Sequence, residues 1–357
     1  MSAGKKVFAA VSGGVDSGVS AALLIERGFD VSGIFMITHD RAQAAQADAE
    51  RVCKHLSIPL HVLDLRANFE TLIDYFCRTY QSGKTPNPCV FCNRTIKFGL
   101  LWEFAQQHGA DFIATGHYAQ ILAKDGDPGL YQARNRDKDQ SYALSMIRRE
   151  VLAHIIFPVG ELDKDRTREL AKNLGLPVHD KEDSQEICFI PGNDYIAMLH
   201  HWRPDIAAKG KIVDTHGSVL GEHDGIHRYT IGQRRGLGIA LGSPAYVVRI
   251  DPQTNTVVLG GKEDLMSRRL LAGDFNWLID PPAGPFDAIV KIRYNHSGAP
   301  ASVSADPASP DKIEITFAEP VSAITPGQAA VVYIAEGPDL RVAGGGWIEH
   351  AIKDGPA

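Results

Sequence analysis

A short glycine-containing segment near the amino terminus has the composition of a phosphate-binding loop. Ser12-Gly13-Gly14-Val15-Asp16-Ser17 follows an apolar stretch directly and opens a helical pattern. Glycine lets the backbone approach phosphate oxygens, and the first N–H groups of a helix are unpaired and lie at the positive end of its dipole. The serines add hydroxyl donors, and Asp16 is a candidate to help hold Mg²⁺. We therefore predict a nucleotide site here.

This loop is not of the Walker type, because the lysine that would reach the outer phosphates of a nucleotide is missing. The alternative interpretation is an ordinary strand-to-helix turn capped by serine and aspartate. The apolar stretch before the loop and the helical pattern after it favour phosphate binding.

Three of the five cysteines stand outside any amphipathic pattern and are candidates for sulfur or metal chemistry. Cys89-Val-Phe-Cys92 follows Thr85-Pro-Asn-Pro88, and the prolines and asparagine predict an exposed loop from Pro86 to Cys92. Cys188 lies in Asp183-Ser-Gln-Glu-Ile-Cys-Phe189. One C-x-x-C and one distant cysteine lack the fourth ligand that a structural zinc site needs. Loops commonly carry function, so reactive thiols are the better interpretation.

The remaining cysteines, Cys53 and Cys77, lie beside apolar residues at helical spacing. We expect both to be buried fillers without a catalytic role. So few cysteines in 357 residues argue against a disulfide framework.

The elements that must position the loop and the thiols alternate between strand and helix. Apolar strands are expected at Val7 to Val11, Val31 to Ile37, Leu60 to Leu65 and Asp111 to Thr115, separated by helical patterns. This order predicts a parallel sheet covered on both faces, with ligands at the carboxyl ends of its strands. Later helices are expected at Phe69 to Tyr80, Thr95 to Gln107, Gln140 to Arg149 and Arg166 to Leu174.

From Gly210 onward, short strands punctuated by Gly, Asp and Asn replace this pattern. They predict a small β-rich domain and then a C-terminal β-barrel, with a sandwich as the alternative. The fold class is therefore α/β, with an N-terminal parallel-sheet nucleotide-binding domain followed by two β domains. We place the domains at residues 1–200, 201–266 and 267–357.

The overall composition is that of a folded protein. Apolar residues make up 44% and charged residues 22% of the chain. No stretch reaches the roughly 18 apolar residues of a membrane span, and the N-terminus lacks the apolar core of a signal peptide. We expect a cytoplasmic location and no membrane partner.

The net charge of −6 speaks weakly against a nucleic-acid partner. Basic residues nevertheless recur in the β domains and could grip the phosphates of a folded RNA as dispersed clusters. They are Arg234 with Arg235, Arg268 with Arg269, and Lys291 with Arg293, the last two expected on a barrel strand.

The loop at Ser12 resembles that of the PP-loop ATP pyrophosphatases, which transfer AMP to a carbonyl oxygen. With its later motifs the chain resembles the bacterial tRNA-specific 2-thiouridylases over nearly its full length. The motifs that carry this resemblance are Ala10 to Ser17, Met36, Thr85-Pro-Asn-Pro88, Cys92-Asn93, Ala114-Thr-Gly-His-Tyr118, Lys138-Asp-Gln-Ser-Tyr142, Phe157-Pro-Val-Gly-Glu161, Asp183 to Phe189, Tyr229 to Ile239, Arg293-Tyr294 and Thr325-Pro-Gly-Gln328.

The resemblance implies a role for each of these motifs. ATP is expected to contact Ala10, Val11, Ser12, Gly13, Gly14, Val15, Asp16, Ser17, Met36 and Gly116. Asn87, Pro88 and Cys89 are expected under the target base, with Cys92 as nucleophile and Cys188 as persulfide carrier. The tRNA surface is expected to include His117, Lys138, Asp139, Gln140, Arg293, Tyr294 and Gln328.

The implied reaction is ATP-dependent 2-thiolation of the wobble uridine, in tRNAs for lysine, glutamate and glutamine. The C2 oxygen of uracil is a poor leaving group, so adenylation would make AMP the leaving group before sulfur displaces it. The base must leave its stack to react. A nearby phosphate or helix N-terminus is expected to lower the pKa of a loop thiol. Sulfur is expected to come from a donor protein, a cysteine desulfurase or a sulfur-relay carrier, and a transient Cys92–Cys188 disulfide is expected after release.

One position departs from the commonest pattern of this family, in which aspartate stands where this chain has Cys89. Cys89, Cys92 and Cys188 then form a three-thiol set that could hold a [4Fe-4S] cluster with one iron open for sulfide. Persulfide and cluster chemistry both remain open at this stage. Two other function classes also account for the phosphate loop: an amide-forming synthetase of the same superfamily, and a non-catalytic nucleotide or redox sensor.

Overall fold

The computed structural model describes residues 4–182, 187–190, 192, 194–239, 244–306 and 309–353. The chain divides into two compact units. Unit 1 comprises Met1–Thr71, Cys89–Phe189 and Ala335–Val342, and unit 2 comprises Leu72–Pro88, Ile190–Ile334 and Ala343–Ala357. Residues 183–186, in the predicted motif before Cys188, lie outside the described residues.

The helices lie mostly in the first 202 residues. They are α1 (Val15–Glu26), α2 (Gln43–His55), α3 (Arg66–Gln81), α4 (Pro88–Cys92), α5 (Leu101–Gln107), α6 (Ser141–Leu144), α7 (Lys164–Asn173) and α8 (Tyr195–Trp202). A π-helical segment, Asn93–Leu100, joins α4 to α5. Short 3₁₀ turns occur at Arg136–Lys138, Arg149–His154, Pro204–Ile206, Ile226–Arg228 and Glu263–Leu265.

The strands, in chain order, are β1 (Lys6–Ala10), β2 (Asp30–Ile37), β3 (Leu60–Asp64), β4 (Phe112–Ala114), β5 (Ala119–Lys124), β6 (Asp127–Gln132), β7 (Ile155–Ile156), β8 (Gly210–Asp214), β9 (Val219–His223), β10 (Tyr246–Asp251), β11 (Thr256–Gly260), β12 (Met266–Trp277), β13 (Phe286–Lys291), β14 (Ala299–Asp306), β15 (Ser309–Ser322), β16 (Ala329–Glu336) and β17 (Asp339–Ile352).

Unit 1 is built on a five-stranded parallel sheet in the order β3-β2-β1-β4-β7. The central strand β1 is apolar and fully covered, with Val7 and Phe8 at 0% exposure, because helices pack on both faces of a parallel sheet. The order reverses between β1 and β4, and ligands of such sheets bind at the carboxyl ends of the strands beside that reversal. The phosphate-loop candidate follows β1 at this edge.

Unit 2 contains two β structures. A four-stranded sheet has the order β10-β11-β8-β9. Strands β12-β15-β14-β13-β16-β17 form a six-stranded barrel, closed by pairing of β17 with β12. Inward residues such as Leu270, Val303 and Ile315 have no exposed surface, whereas their neighbours along the strand reach solvent. The predicted fold class, a parallel-sheet domain followed by a small β domain and a C-terminal β-barrel, is confirmed.

Two local predictions were wrong. The segment from Pro86 to Cys92 is not an exposed loop throughout, because helix α4 begins at Pro88, where the fixed φ of proline suits a first helical turn. The helix expected from Gln140 to Arg149 is the single turn α6. It ends where the hydroxyl of Ser145 donates to the carbonyl of Tyr142 at 3.0 Å, a local bond that competes with helix continuation.

Strand β5 was not predicted from the sequence. It pairs with β6 as a hairpin from Ala119↔Gln132 to Lys124↔Asp127. The described residues include no helix long and apolar enough to cross a membrane.

Candidate active site

The predicted phosphate loop is held by its own serines. The hydroxyl of Ser17 donates to the carbonyl of Gly14 at 3.0 Å and accepts from the N–H of Ser12 at 3.2 Å. Gly13 has φ of +74°, and a Cβ there would lie 2.5 Å from the carbonyl oxygen of Ala45. Only glycine fits that position, so the loop is locked in its shape before any ligand arrives.

Gly116, predicted to contact ATP, lies directly against this loop. A Cβ on Gly116 would come within 2.8 Å of the backbone nitrogen of Ser17 and 2.9 Å of the carbonyl carbon of Asp16. Met36 is half-buried near the end of β2, two residues beyond the Ala10↔Ile34 pair of β1 and β2. These three predicted ATP-site elements therefore share one edge of the sheet.

Asp16 is paired with a lysine that sequence reasoning missed. Lys164 Nζ lies 2.7 and 2.9 Å from the two carboxylate oxygens of Asp16, and the Tyr118 hydroxyl donates to the same carboxylate at 3.0 Å. The Lys164 side chain is 12% exposed. No signal in the sequence indicated it, since the helix was expected to begin at Arg166, whereas α7 begins at Lys164.

A second lysine, also missed, braces the other side of the loop. Lys181 Nζ donates to the carbonyl of Gly13 at 3.0 Å and to Asp48 at 2.6 Å. The hydrogen bond from Lys181, with help from Arg51, lowers the pKa of Asp48. The two lysines supply positive charge next to a loop that lacks the Walker lysine.

An open cavity of about 860 Å³ lies beside Lys164. This volume is within the range of small-molecule and cofactor sites. Its lining residues are all of polar or charged types and include Lys138, one of the residues expected at the tRNA surface. The lining residues are Asn135, Asp137, Lys138, Asp163, Lys164, Asp165, Arg166 and Glu169.

The three candidate thiols of unit 1 act on one another electrostatically. Cys92 is buried, whereas Cys89 and Cys188 are exposed, and all three are free thiols. Desolvation by the surrounding protein, with smaller contributions from the Cys92 and Cys89 thiols, raises the pKa of Cys188 to about 12. The fold thus brings the predicted nucleophile and the predicted persulfide carrier into one charge-coupled group.

In the free protein, without bound phosphate, the pKa of the Cys92 thiol is raised. Burial raises the pKa of Cys92, and Cys89 adds to the increase. The physical reason is that Cys92 ends helix α4 and is 8% exposed, so its thiolate would lose hydration. Both Cys92 and Cys188 are therefore protonated near neutral pH in this state.

The charge of Lys97 opposes this effect in all three thiols. Its positive charge lowers the pKa of Cys89, Cys92 and Cys188. Lys97 lies in the π-helical segment that follows α4, and it was not predicted. π-Helical turns are rare in proteins, and those that occur are often found at functional sites. The residue types give no indication of one here.

His117 lies next to Lys97. Its Nε2 is 3.3 Å from Lys97 Nζ, and its Nδ1 is 2.6 Å from the hydroxyl of Thr115. Burial and the Lys97 charge lower the pKa of His117 well below its usual value. The imidazole is therefore neutral, which lets Nε2 accept from the ammonium while Nδ1–H faces Thr115.

Asn93, quoted in the Cys92-Asn93 motif, is 2% exposed. Its amide nitrogen donates to the carbonyl of Ala143 at 2.9 Å, which ties the π-helical segment to α6. Its Oδ1 has no partner among the described residues.

Of the three adjacent residues Lys138, Asp139 and Gln140, only Lys138 is exposed. The Asp139 carboxylate is buried and accepts from the N–H groups of Ala133 and Ser141. Gln140 Oε1 accepts from the N–H of Tyr118 at 2.9 Å. Asp139 and Gln140 thus hold the backbone around His117, and Lys138 presents the free charge of the group.

The remaining predicted residues lie in unit 2. Arg293 is exposed just beyond the end of β13, not on the strand as expected, and its Nη1 donates to the carbonyl of Ser322 at 3.1 Å. Tyr294 is 44% exposed. Asn87 and Pro88 flank the start of α4, and the side chain of Gln328 is bonded to the loop that carries Asn87.

Comparison with known proteins places the chain in a family. Residues 5–192 match the model described as tRNA methyl transferase HUP domain, 199–261 the tRNA methyl transferase PRC-barrel domain, and 267–348 the aminomethyltransferase beta-barrel domain. The tRNA-specific 2-thiouridylase MnmA of Syntrophotalea carbinolica is 46% identical over 96% of this chain and 98% of its own. The chain belongs to the tRNA-specific 2-thiouridylase family.

Other members of the 2-thiouridylase family align just as completely. The protein of that name from Carboxydothermus hydrogenoformans is 46% identical over 98% of both chains. Among solved structures, the U34-tRNA thiolase NcsA from Methanococcus maripaludis with its [4Fe-4S] cluster is 19% identical over 57% of this chain and 68% of that one, with a TM-score of 0.37. That similarity is too low to bear on activity or cofactor.

The described residues contain no group of three or more His, Cys, Asp or Glu side chains arranged to hold a metal ion. The carboxylate of Asp16 is engaged by Lys164 and Tyr118, so it would bind Mg²⁺ only if Lys164 moved.

Proposed function

We propose that this protein replaces the C2 oxygen of the wobble uridine of tRNA by sulfur in an ATP-dependent reaction. The observation that carries the proposal is the phosphate loop, with Lys164 at Asp16, in the same unit as the free thiols Cys92 and Cys188. The full-length similarity to 2-thiouridylases supports it. The same similarity leaves the amide-forming and sensor alternatives without support.

The first step activates the base. The C2 oxygen attacks the α-phosphorus of ATP, the N3 proton is lost, and pyrophosphate leaves, so that C2 carries AMP. The rigid loop Ser12–Ser17 binds the phosphates through backbone N–H groups at the start of α1. Lys164 provides the positive charge that a Walker lysine would provide, and a Mg²⁺ ion arriving with ATP would supply further charge to neutralise the pyrophosphate.

The second step delivers sulfur. A donor protein, a cysteine desulfurase or a relay carrier, loads Cys188 as a persulfide. Its terminal sulfur attacks C2 and AMP leaves. The Cys92 thiolate then attacks the Cys188 sulfur, the S–S bond breaks, and the 2-thiocarbonyl is released with a proton returned to N3. The resulting Cys92–Cys188 disulfide takes two electrons from an external dithiol.

Charge in the thiol group favours this order of events. Cys92 and Cys188 are protonated before loading, which protects them from oxidation. A persulfide loses its proton more readily than a thiol. The Lys97 ammonium then faces the newly formed anion.

The described residues show no ligand group for a metal ion that includes Cys89, Cys92 and Cys188, which favours the persulfide route. We therefore derive no step through a cluster. The substitution Cys89→Asp restores the residue common in the family and tests the choice directly. In the persulfide route the variant keeps its thiolation activity, as does Cys89→Ser. The cluster route would be established instead if the anaerobically purified parent protein shows iron–sulfur absorbance and the Cys89→Asp variant lacks both that absorbance and activity.

Activation is tested by product formation. AMP and pyrophosphate are expected only when tRNA with an unmodified wobble uridine is present, because the acceptor oxygen belongs to that base. Release at equal rates without tRNA would contradict the proposal.

The same proposal includes the donor protein, the set of tRNAs and the cytoplasmic location. It also includes the domain limits 1–200, 201–266 and 267–357.

A further inference from the structure

Three of the predicted motifs meet around one loop of unit 2, residues 84–87. The first contributes the loop itself, Thr85-Pro-Asn-Pro88; the second contributes Thr230; the third contributes Pro326 and Gln328. The Thr85 hydroxyl lies 3.2 Å from that of Thr230. This convergence was not predicted, because Thr230 and Gln328 each lie more than a hundred residues from Thr85 in sequence.

The loop cannot satisfy its own backbone. Pro86 and Pro88 have no N–H, and a residue before proline is held in an extended conformation, so no local turn closes around Thr85. Its carbonyl groups must find donors elsewhere.

Gln328 supplies those donors. Its amide nitrogen donates to the carbonyl of Thr85 at 3.1 Å and to that of Pro86 at 2.9 Å, which uses both hydrogens of the carboxamide. Its oxygen lies 3.5 Å from the amide nitrogen of Asn87. One side chain therefore contacts three successive residues of the loop.

The backbone around Gln328 holds it in this place. The N–H of Thr85 donates to the carbonyl of Pro326 at 2.9 Å, and the N–H of Ile348 donates to the carbonyl of Gln328 at 2.8 Å. Gly327 has φ of +88°, and a Cβ there would lie 2.8 Å from the carbonyl oxygen of Thr85. The close approach of the two loops thus depends on a glycine.

A further contact fixes the far side of the loop. The N–H of Asn87 donates to the hydroxyl of Tyr75 in α3 at 3.3 Å. Burial raises the pKa of that hydroxyl to about 12, so it remains protonated, with an oxygen available to accept. Asn87 is held between α3 and the barrel.

We propose that Gln328 is a positioning residue, whose carboxamide fixes the loop bearing Asn87 in the free protein, before tRNA binds. In this role it acts through Asn87, and it is not primarily a tRNA contact. The consequence for thiolation rests on the proposed function, in which Asn87 lies under the target base. The positioning of the loop by Gln328 does not depend on the proposed function, because it is argued from the hydrogen bonds alone.

The test uses hydrogen exchange in the full-length protein without tRNA. Gln328→Met keeps the length of the side chain and removes both donors, and Gln253→Met on an exposed turn is the matched control. Gln328→Met is expected to speed exchange of the Thr85 and Asn87 amides roughly tenfold, whereas the control leaves them unchanged. Gln328→Glu, which keeps size and polarity but cannot donate, is expected to give the same result.

Two further measurements separate positioning from direct contact. If Gln328 positions the loop, the Kd for tRNA stays within about twofold and the thiolation kcat falls roughly 10- to 100-fold, as misplaced reacting groups predict. Unchanged exchange together with weaker tRNA binding would overturn the proposal. If Gln328→Met also speeds exchange in the barrel strand β14, the substitution disturbs the barrel itself, and the comparison then uses Gln328→Glu. Faster loop exchange in a protein that proves not to thiolate tRNA would leave the positioning intact and refute only the proposed function.

Discussion

At the residue scale, lysines that no motif identified set the electrostatics of the candidate site. Lys164 neutralises Asp16 beside the phosphate loop, and Lys181 bonds to the carbonyl of Gly13. Each ammonium is shared with a carboxylate, Asp16 or Asp48, and the N-terminus of α1 adds backbone N–H groups that suit an anion.

The Asp16–Lys164 pair is expected to act in adenylation and not in sulfur transfer. Lys164→Met and Asp16→Asn should each lower the rate of tRNA-dependent AMP formation, roughly tenfold or more, because the first removes a cation from the phosphate site and the second removes the carboxylate that positions it. Lys172→Met, an exposed lysine of the same helix α7, is the control. The double variant should lose less than the product of the single losses, since the two groups work as a pair. Independent, multiplicative losses would contradict a shared role.

Lys97 is expected to control the acidity of Cys92. Burial raises the pKa of this thiol and Lys97 lowers it, so removing the ammonium raises the pKa further. In Lys97→Met the pH profile of Cys92 alkylation, followed by mass spectrometry, should move about one unit to higher pH. Lys97→Arg should keep the original profile, and Lys54→Met, at an exposed position, should not alter it. Identical profiles in all four proteins would rule the interaction out.

Residue types alone predicted the phosphate loop and selected three thiols from five. They did not reveal Lys97 or Lys164, because each reaches its partner only through the fold: Lys97 acts on Cys188, 91 positions further along the chain, and Lys164 meets Asp16, 148 positions earlier. Burial of Cys92 was not predicted, because the sequence placed this residue in an exposed loop. The prolines around Asn87 indicated a loop, whereas Pro88 starts a helix.

At the element scale, the site depends on close backbone approach at the edge of the parallel sheet. Gly116, just after β4, touches the start of α1, and any side chain there would press on the backbone of Asp16 and Ser17. The alternation of strands and helices predicted this sheet well. Short irregular pieces, such as the single turn α6 and the π-helical segment, were not predicted because local side-chain bonds and tertiary packing determine them.

Gly116→Ala is therefore expected to weaken ATP binding without unfolding the protein. The added methyl group would displace the loop, and a roughly tenfold rise in Kd for ATP by calorimetry is the expected result. Gly284→Ala, where a Cβ meets nothing within 4 Å, is the control. An unchanged Kd for Gly116→Ala would show that this contact does not shape the nucleotide site.

At the scale of the whole molecule, an acidic protein is proposed to bind a polyanion. The net charge is −6, yet Lys138, Arg234 and Arg293 are exposed. Dispersed cations can bind phosphates in spite of the total charge, because the field falls off within roughly 10 Å at 0.1 M salt.

Binding of tRNA is accordingly expected to weaken steeply between roughly 50 and 200 mM salt, as bound phosphates release counterions. Arg234→Ala and Arg293→Ala should each weaken binding and reduce the slope of log Kd against log salt. Arg41→Ala, an exposed arginine of unit 1, is the control. Affinity that does not change with salt would mean that these residues do not grip phosphates.

The chemical identity of the modified base tests the central proposal most directly. Purified protein, ATP, a persulfide donor and tRNA bearing an unmodified wobble uridine should yield, after digestion and mass spectrometry, a nucleoside in which one oxygen is replaced by sulfur at C2. The product should vanish with Cys92→Ser and with Cys188→Ser. Unmodified uridine, or a methylated nucleoside of the kind that the family-model descriptions would suggest, would contradict the proposed function.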